Sequence, residues 1–263
     1  MLLLRIISAL AGIPIVLGAV YMGGPWFLGL LLVVVNLAAI EYWSLLKSRG
    51  FRMPLVLGLS GVNLFLLIIY FGFMPMLYPI IMLHFFILFV LVLFDMERNR
   101  IVDSALSLWG IVYIGGLCGY MLMVRMLDGG AFYMYLLLIG VWVHDTLAYF
   151  IGVKWGVRKF APDISPNKSV EGSLAGLFGT VAIFFSAPIL APEIVLLSPG
   201  QAAVLAFGIG VFAQLGDLIE SALKRQLEVK DSGRIIPGHG GILDRFDSLF
   251  VAAPFVYYFF LIV

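Results

Sequence analysis

Residues 202–223 read AAVLAFGIGVFAQLGDLIESAL, a run of 22 residues without a Lys or Arg. About 20 predominantly apolar residues cross the hydrocarbon core of a bilayer as a helix, so length and composition predict a membrane span here. Within it, Asp217, Glu220 and Ser221, followed by Lys224, fall at i, i+3, i+4 and i+7 and share one helix face. A carboxylate at the bilayer centre costs about 2.5–3.5 kcal/mol, so each acid requires a cavity, a partner or a metal. The stripe therefore faces either a water-filled cavity or an internal salt-bridge ladder between helices.

Working outward, the same apolar texture fills the chain. Of 263 residues, 63% are hydrophobic and 12% charged, which excludes disorder and an ordinary water-soluble domain. The mean hydropathy of +1.11 agrees. Apolar runs bounded by charge or by Gly and Pro lie at about 4–22, 26–46, 54–72, 76–94, 104–124, 131–152, 173–192, 202–223 and 244–262. The expected fold is all-α: a polytopic membrane protein of about nine transmembrane helices. At about 20 residues each they take about 180 residues and leave no room for a separate soluble domain. The chain then reads as a single transmembrane domain, 1–263, with helices before residue 130 as scaffold and 131–263 carrying the active site. The first apolar run is expected to be an uncleaved helix rather than a signal peptide, because nearly all the chain behind it is also membrane. The lone Cys118 excludes a disulfide framework and a Cys-rich zinc site.

With these spans, 15 of the 16 Lys and Arg residues fall on one side and only Arg125 on the other. The positive-inside rule then puts the N-terminus in the cytoplasm and the C-terminus outside. Polar chemistry is expected on the cytoplasmic side, where two long linkers lie, 153–172 and 224–243.

Two more acids fall inside spans. Glu41, near a cytoplasmic end, is expected to pair with a nearby Lys or Arg. Asp145 lies about seven residues from its helix end, about 10 Å deep at 1.5 Å per residue. His84 reads as a hydrogen-bonded packing histidine. His144 adjoins Asp145, but consecutive side chains diverge on a helix, so no pairing between them is expected.

The second linker contains PGHGG at 237–241, followed by Asp244, Arg245 and Asp247. Gly-rich backbone lets bare N–H groups approach phosphate oxygens. The last two helices are antiparallel neighbours, so Asp217 and Asp244 can reach similar depth. Converging carboxylates repel unless a cation sits between them, and oxygen-only ligands suit a hard ion such as Mg²⁺. With Lys224, Arg225, Lys230, Arg234 and Arg245 around them, the set suits phosphoryl or nucleotidyl transfer.

The pattern Ser221-x₂-Lys224-Arg225-x₄-Lys230-Asp231-x₅-Pro237-Gly238-His239-Gly240-Gly241-x₂-Asp244-Arg245-x-Asp247 resembles the signature of the phosphatidate cytidylyltransferases. Asp145-x₂-Ala148-Tyr149-Phe150-x-Gly152 and Ser165-Pro166-x-Lys168-x₂-Glu171-Gly172 resemble a second block of that family. Asn167, Ser169 and Val170 depart from it, where Lys, Thr and an aromatic are expected. The resemblance implies transfer of CMP from CTP to phosphatidic acid, giving CDP-diacylglycerol and pyrophosphate. It also implies Mg²⁺, with a second cation possible, and a homodimer in the bacterial cytoplasmic membrane, without nucleic acid.

On this reading Asp217 and Asp244 are metal ligands, with Asp145 as a further contributor. Lys224, Arg225, Lys230 and Arg245 hold phosphates, and the backbone at Gly240 and Gly241 cradles one. Ser165, Lys168, Glu171, Ser221 and His239 bind substrate, while Asp231 and Asp247 orient the basic side chains.

Two rivals stand beside it. A CTP-dependent kinase of a lipid alcohol would need a general base and would release CDP. An ion-coupled transporter would carry polar groups through to the far face, whereas here they cluster on one side, and an internal repeat is not evident.

Overall fold

A computed structural model of the chain describes residues 2–52, 54–94, 100–229, 232–233 and 240–263, with side chains from Leu10 onward. The described residues are overwhelmingly helical. In chain order they form α1 (Leu2–Met22), α2 (Gly24–Ser48), α3 (Leu55–Tyr70), α4 (Leu77–Phe94), α5 (Ile101–Gly110), a π-turn (Ile111–Gly116) and α6 (Leu117–Met126). Then follow α7 (Gly130–Trp155), strands β1 (Lys159–Ala161) and β2 (Ser165–Ser169), α8 (Val170–Leu190), α9 (Pro199–Gln226) and α10 (Leu243–Ile262). Each apolar run becomes a helix whose ends lie within 3 residues of the expected ones. Seven helices among the described residues are long and apolar enough to cross a membrane, and the apolar helices Leu10–Met22 and Leu55–Tyr70 are shorter. The chain is a multi-pass helical membrane protein.

The chain divides into two compact units, one of residues 1–131 with 227–246, the other of 132–226 with 247–263. The first unit is a helical cluster around α2, whose buried face carries Phe27, Leu31, Val35, Ala38, Tyr42 and Leu46. Several polar groups inside it are hydrogen-bonded. Asn36 on α2 and Asn63 on α3 exchange two amide hydrogen bonds, of 2.8 and 2.9 Å. The Tyr42 hydroxyl donates to the Leu106 carbonyl at 2.9 Å. His84 is a buried packing histidine, bonded to the Ile80 carbonyl at 2.8 Å and Ser60 Oγ at 3.2 Å. Arg125 answers to the end of α1: its Nε donates to the Val20 carbonyl at 2.6 Å and Nη2 to Tyr21 at 3.3 Å. Those are carbonyls that a helix C-terminus leaves unpaired. At the start of α5, Asp103 accepts from the Arg100 backbone at 3.1 Å and binds its guanidinium, whose pKa it raises.

In the second unit, α7, α8 and α9 pack together with the body of α10. Tyr133 on α7 stacks on Phe260 of α10, and Phe212 of α9 on Phe255. The linker after α7 contains a feature that hydropathy does not reveal, a two-stranded antiparallel ribbon pairing Lys159 with Ser169 and Ala161 with Ser165. Its pairing depends on backbone geometry, since its residues are mixed in polarity and half of them are exposed. Ser169 ends the ribbon and caps α8, its hydroxyl accepting from Gly172 N at 3.1 Å.

Candidate active site

The polar stripe of α9 lies in the second unit and collects partners from α7, β2 and α10. Helix α9 runs to Gln226, three residues beyond the expected end, and α7 likewise runs to Trp155. Asp217 is about 13 Å and Asp145 about 15 Å of helix from those ends at 1.5 Å per residue.

Asp217 is the hub. Lys168 reaches from β2 to place Nζ 2.7 Å from Asp217 Oδ2. Ser221, one turn along α9, donates its hydroxyl to Oδ1 at 3.1 Å. One turn further, Lys224 forms an ion pair with the buried Glu220. Asp247 on α10 is buried within electrostatic reach of Asp217, Asp145 and Lys224, and its Oδ1 accepts from Ser248 N at 2.7 Å. The Asp217 and Asp145 side chains remain 40% and 54% exposed. A carboxylate that deep in an apolar helix calls for water, a cation or a partner, and Lys168 and Ser221 supply partners to Asp217.

α9 and α10 approach so closely because residue 216 is glycine. A Cβ there would lie 2.5 Å from the Asp247 carbonyl oxygen and 2.9 Å from Ser248 Cα. That backbone contact sets the spacing between Asp217 and Asp247.

His144 and Asp145 depart from expectation. They do pair, with Nδ1 3.2 Å from Asp145 Oδ1. The reason is a third residue: Gln214 of α9 donates to His144 Nε2 at 2.9 Å and to the Ser173 carbonyl at 3.0 Å. The Ser173 carbonyl requires the Gln214 nitrogen on its side, so Nε2 accepts and the ring proton sits on Nδ1, facing Asp145. The 100° divergence of neighbouring side chains is overcome because Gln214 holds the far edge of the ring. Gln214 extends the α9 stripe one turn deeper, at i−3 from Asp217, a signal that the spacing contained.

Other expected site residues are tied into local structure. Glu171 accepts from Val157 N at 3.1 Å and Arg158 N at 3.2 Å and pairs with the Arg158 side chain, closing the turn between α7 and β1. Arg225 Nε donates to the Ile164 carbonyl at 3.1 Å, supporting the ribbon turn, and Ser165 pairs in the ribbon. Lys230, Asp231 and His239, with Arg234, Pro237 and Gly238, lie outside the described residues.

Asp244 belongs to the first unit. Its Oδ2 accepts from Ser232 N at 3.1 Å, Ser232 Oγ at 2.8 Å and Gly241 N at 2.9 Å, three bonds on one oxygen that fix the carboxylate. Gly240 takes a left-handed φ of 86°, which favours glycine. Arg245 starts the exposed side of α10, its N–H donating to Ile242 O at 3.0 Å. Glu41 also differs from expectation. Its partners among the described residues are not a Lys or Arg but Ile242 N and Leu243 N, both at 3.0 Å, and Ser232 Oγ at 3.4 Å.

Among the described residues no three His, Cys, Asp or Glu side chains form a ready metal cluster. Mg²⁺ commonly uses only one or two carboxylates, with water and substrate phosphates completing its shell. The carboxylates of Asp217 and Asp145 in the second unit offer oxygen donors of that kind, and Asp244 offers one in the first.

These features define a class: a multi-pass membrane protein with carboxylates and ammonium groups paired among its helices. The model of the cytidylyltransferase family matches residues 3–263. A phosphatidate cytidylyltransferase of Bacillus subtilis (strain 168) is 33% identical over 97% of this chain and 96% of its own length. One of Synechocystis sp. is 32% identical over 97% of this chain and 95% of its own. A third, of Staphylococcus saprophyticus, is 39% identical over 64% of each. The chain belongs to the cytidylyltransferase family.

Proposed function

We propose that the protein transfers CMP from CTP to phosphatidic acid, forming CDP-diacylglycerol and pyrophosphate. The observation that carries the chemistry is the array around Asp217, where Lys168 and Ser221 bind it, Asp247 lies within electrostatic reach and Lys224 stands two turns along the same helix. The full-length likeness to phosphatidate cytidylyltransferases supports the choice of substrates.

The lipid phosphate is the nucleophile. A phosphate monoester carries about −1.5 to −2 charge near neutral pH, so it attacks without a general base. One of its oxygens bonds to the α-phosphorus of CTP, the bond from that phosphorus to the bridging oxygen breaks, and the electron pair leaves with pyrophosphate. Lys168 and Lys224, paired with Asp217 and Glu220, are the ammonium groups to meet phosphate oxygens. Arg245 and Lys230 are assigned to the phosphates by their place in the motif. Asp217 and Asp244 are the carboxylates for Mg²⁺, each fixed by its own neighbours, with Asp145 as a further ligand. When bound, Mg²⁺ would supply charge neutralisation on the phosphates and the departing pyrophosphate.

The remaining assignments belong to the same proposal. The distribution of basic residues supports a cytoplasmic N-terminus and an active site facing the cytoplasm from the bacterial inner membrane. The protein acts as a homodimer, which light scattering of the detergent-solubilised protein tests.

The decisive experiment measures pyrophosphate release from CTP and phosphatidic acid in detergent. Asp217→Asn and Asp244→Asn should each abolish it at any Mg²⁺ concentration while the protein still inserts. Near-normal turnover in either variant removes that residue from the metal assignment, and CDP appearing in place of pyrophosphate overturns the reaction.

A further inference from the structure

Helix α2 lies far outside the motif that carries the chemistry, yet it supplies a buried carboxylate to the start of α10. Glu41 is 4% exposed. Its Oε1 accepts from Ile242 N and its Oε2 from Leu243 N, both at 3.0 Å. These are backbone donors that the first turn of a helix leaves unpaired, and the positive end of the helix dipole favours an anion there. Ser232 joins Glu41 to Asp244: its hydroxyl lies 3.4 Å from Glu41 Oε2 and 2.8 Å from Asp244 Oδ2. The surrounding backbone is shaped to the carboxylate. A Cβ on Gly233 would stand 2.6 Å from Glu41 Cδ, and one on Gly241 2.8 Å from it.

We infer that Glu41 is a positioning residue for the reaction: it anchors residues 232–233 and 240–244 and so sets the placement of Asp244. It touches no substrate. Its place in a membrane helix is explained by this task, because a buried carboxylate is tolerated where several N–H and O–H donors converge on it. The inference rests on the reading of Asp244 given above, and the geometry of Glu41 can be tested without that reading.

Hydrogen exchange of the peptide covering 240–246, measured in metal-free protein, reports the anchor directly. Glu41→Gln keeps the shape but turns an amide NH₂ toward one of the two backbone N–H groups. It should speed exchange of 240–246 by about tenfold or more, the worth of one charge-assisted hydrogen bond, and leave the rest of α2 unchanged. Gly233→Ala, which drives a methyl group into the carboxylate from the other side, should do the same. Glu228→Gln is the control. It removes the exposed partner of Arg49, 2.9 Å away, in the same segment, and should leave 240–246 as in the parent. In the turnover assay Glu41→Gln should lower kcat about 10–100-fold, as loss of a residue behind a metal ligand does, with the Mg²⁺ requirement raised. Parental exchange in both Glu41→Gln and Gly233→Ala overturns the inference, and so does equal acceleration by Glu228→Gln. A merely structural role would lower the thermal midpoint and leave kcat of the folded protein intact, which also overturns it. If instead Asp244→Asn stays active while Glu41→Gln speeds exchange, the anchor stands and the metal assignment of Asp244 fails.

Discussion

Replacing Gly216 by alanine puts a methyl group where the backbone of α10 already runs. The new Cβ would sit 2.5 Å from the Asp247 carbonyl oxygen, 2.9 Å from Ser248 Cα and 3.0 Å from the Asp247 carbonyl carbon. Carbon atoms pack at about 3.5–4.0 Å, so the two helices must part by about 1 Å at this level. Neither neighbour is a flexible side-chain tip that can swing away. Forcing a methyl group into such a contact costs about 1–3 kcal/mol. The functional cost is larger, because Asp217 directly follows Gly216 and Asp247 is the residue struck. A 1 Å misplacement of reacting groups costs about 100-fold in rate. Gly216→Ala should therefore lower kcat for pyrophosphate release about 100-fold in detergent-solubilised enzyme, with a fall in thermal midpoint too small to explain it. Gly200→Ala, near the other end of α9 where nothing lies within 4 Å of the added Cβ, is the matched control. Parental kcat and midpoint in Gly216→Ala would refute the claim that this contact spaces the two aspartates.

Lys168→Met should cut turnover about 100-fold, the usual loss when one charged donor to a reacting phosphate is removed. Its thermal midpoint should hardly move, since the partly exposed pair with Asp217 is worth about 0–1 kcal/mol, and parental turnover would remove Lys168 from the site. Such pairs are screened by water. Gln214→Leu leaves the buried His144 Nε2 and the Ser173 carbonyl without their shared donor, a loss of about 1–3 kcal/mol visible in unfolding of the solubilised protein. Asn36→Leu should destabilise by about 0.6–2 kcal/mol. Adding Asn63→Leu should return part of that, because the partner amide is then no longer stranded in an apolar setting, and strict additivity of the two losses would contradict the pairing.

Much of the candidate site is legible in the sequence because its residues are spaced along one helix. Asp217, Ser221 and Lys224 occur at helical intervals, and the structure finds them along one face with Ser221 bonded to Asp217. Gln214 belongs to the same interval, and an uncharged amide in an apolar run carries no charge signal of its own. Lys168 is different: nothing in its local sequence says that β2 would carry it to α9. The pairing of His144 with Asp145 was equally hidden, since local helix geometry argues against it and a third residue from α9 reverses the outcome. Arg125 is an exception to the charge rule in the sequence, and its donors serve the carbonyls at the end of α1.

The amino-acid sequence by itself determined the helices and their limits. Hydropathy acts residue by residue, a membrane helix satisfies its own backbone, and each span is therefore written in about 20 consecutive residues. It also determined which polar residues are out of place in such helices, because the cost of a buried carboxylate does not depend on its neighbours' identity until a partner is found. The tertiary structure decided who those partners are. Glu41 meets Ile242 across 201 positions of chain, and only packing of the first unit brings the two together. The choice between an ion pair and a ring of backbone donors rests on that long-range contact, which no local interval encodes.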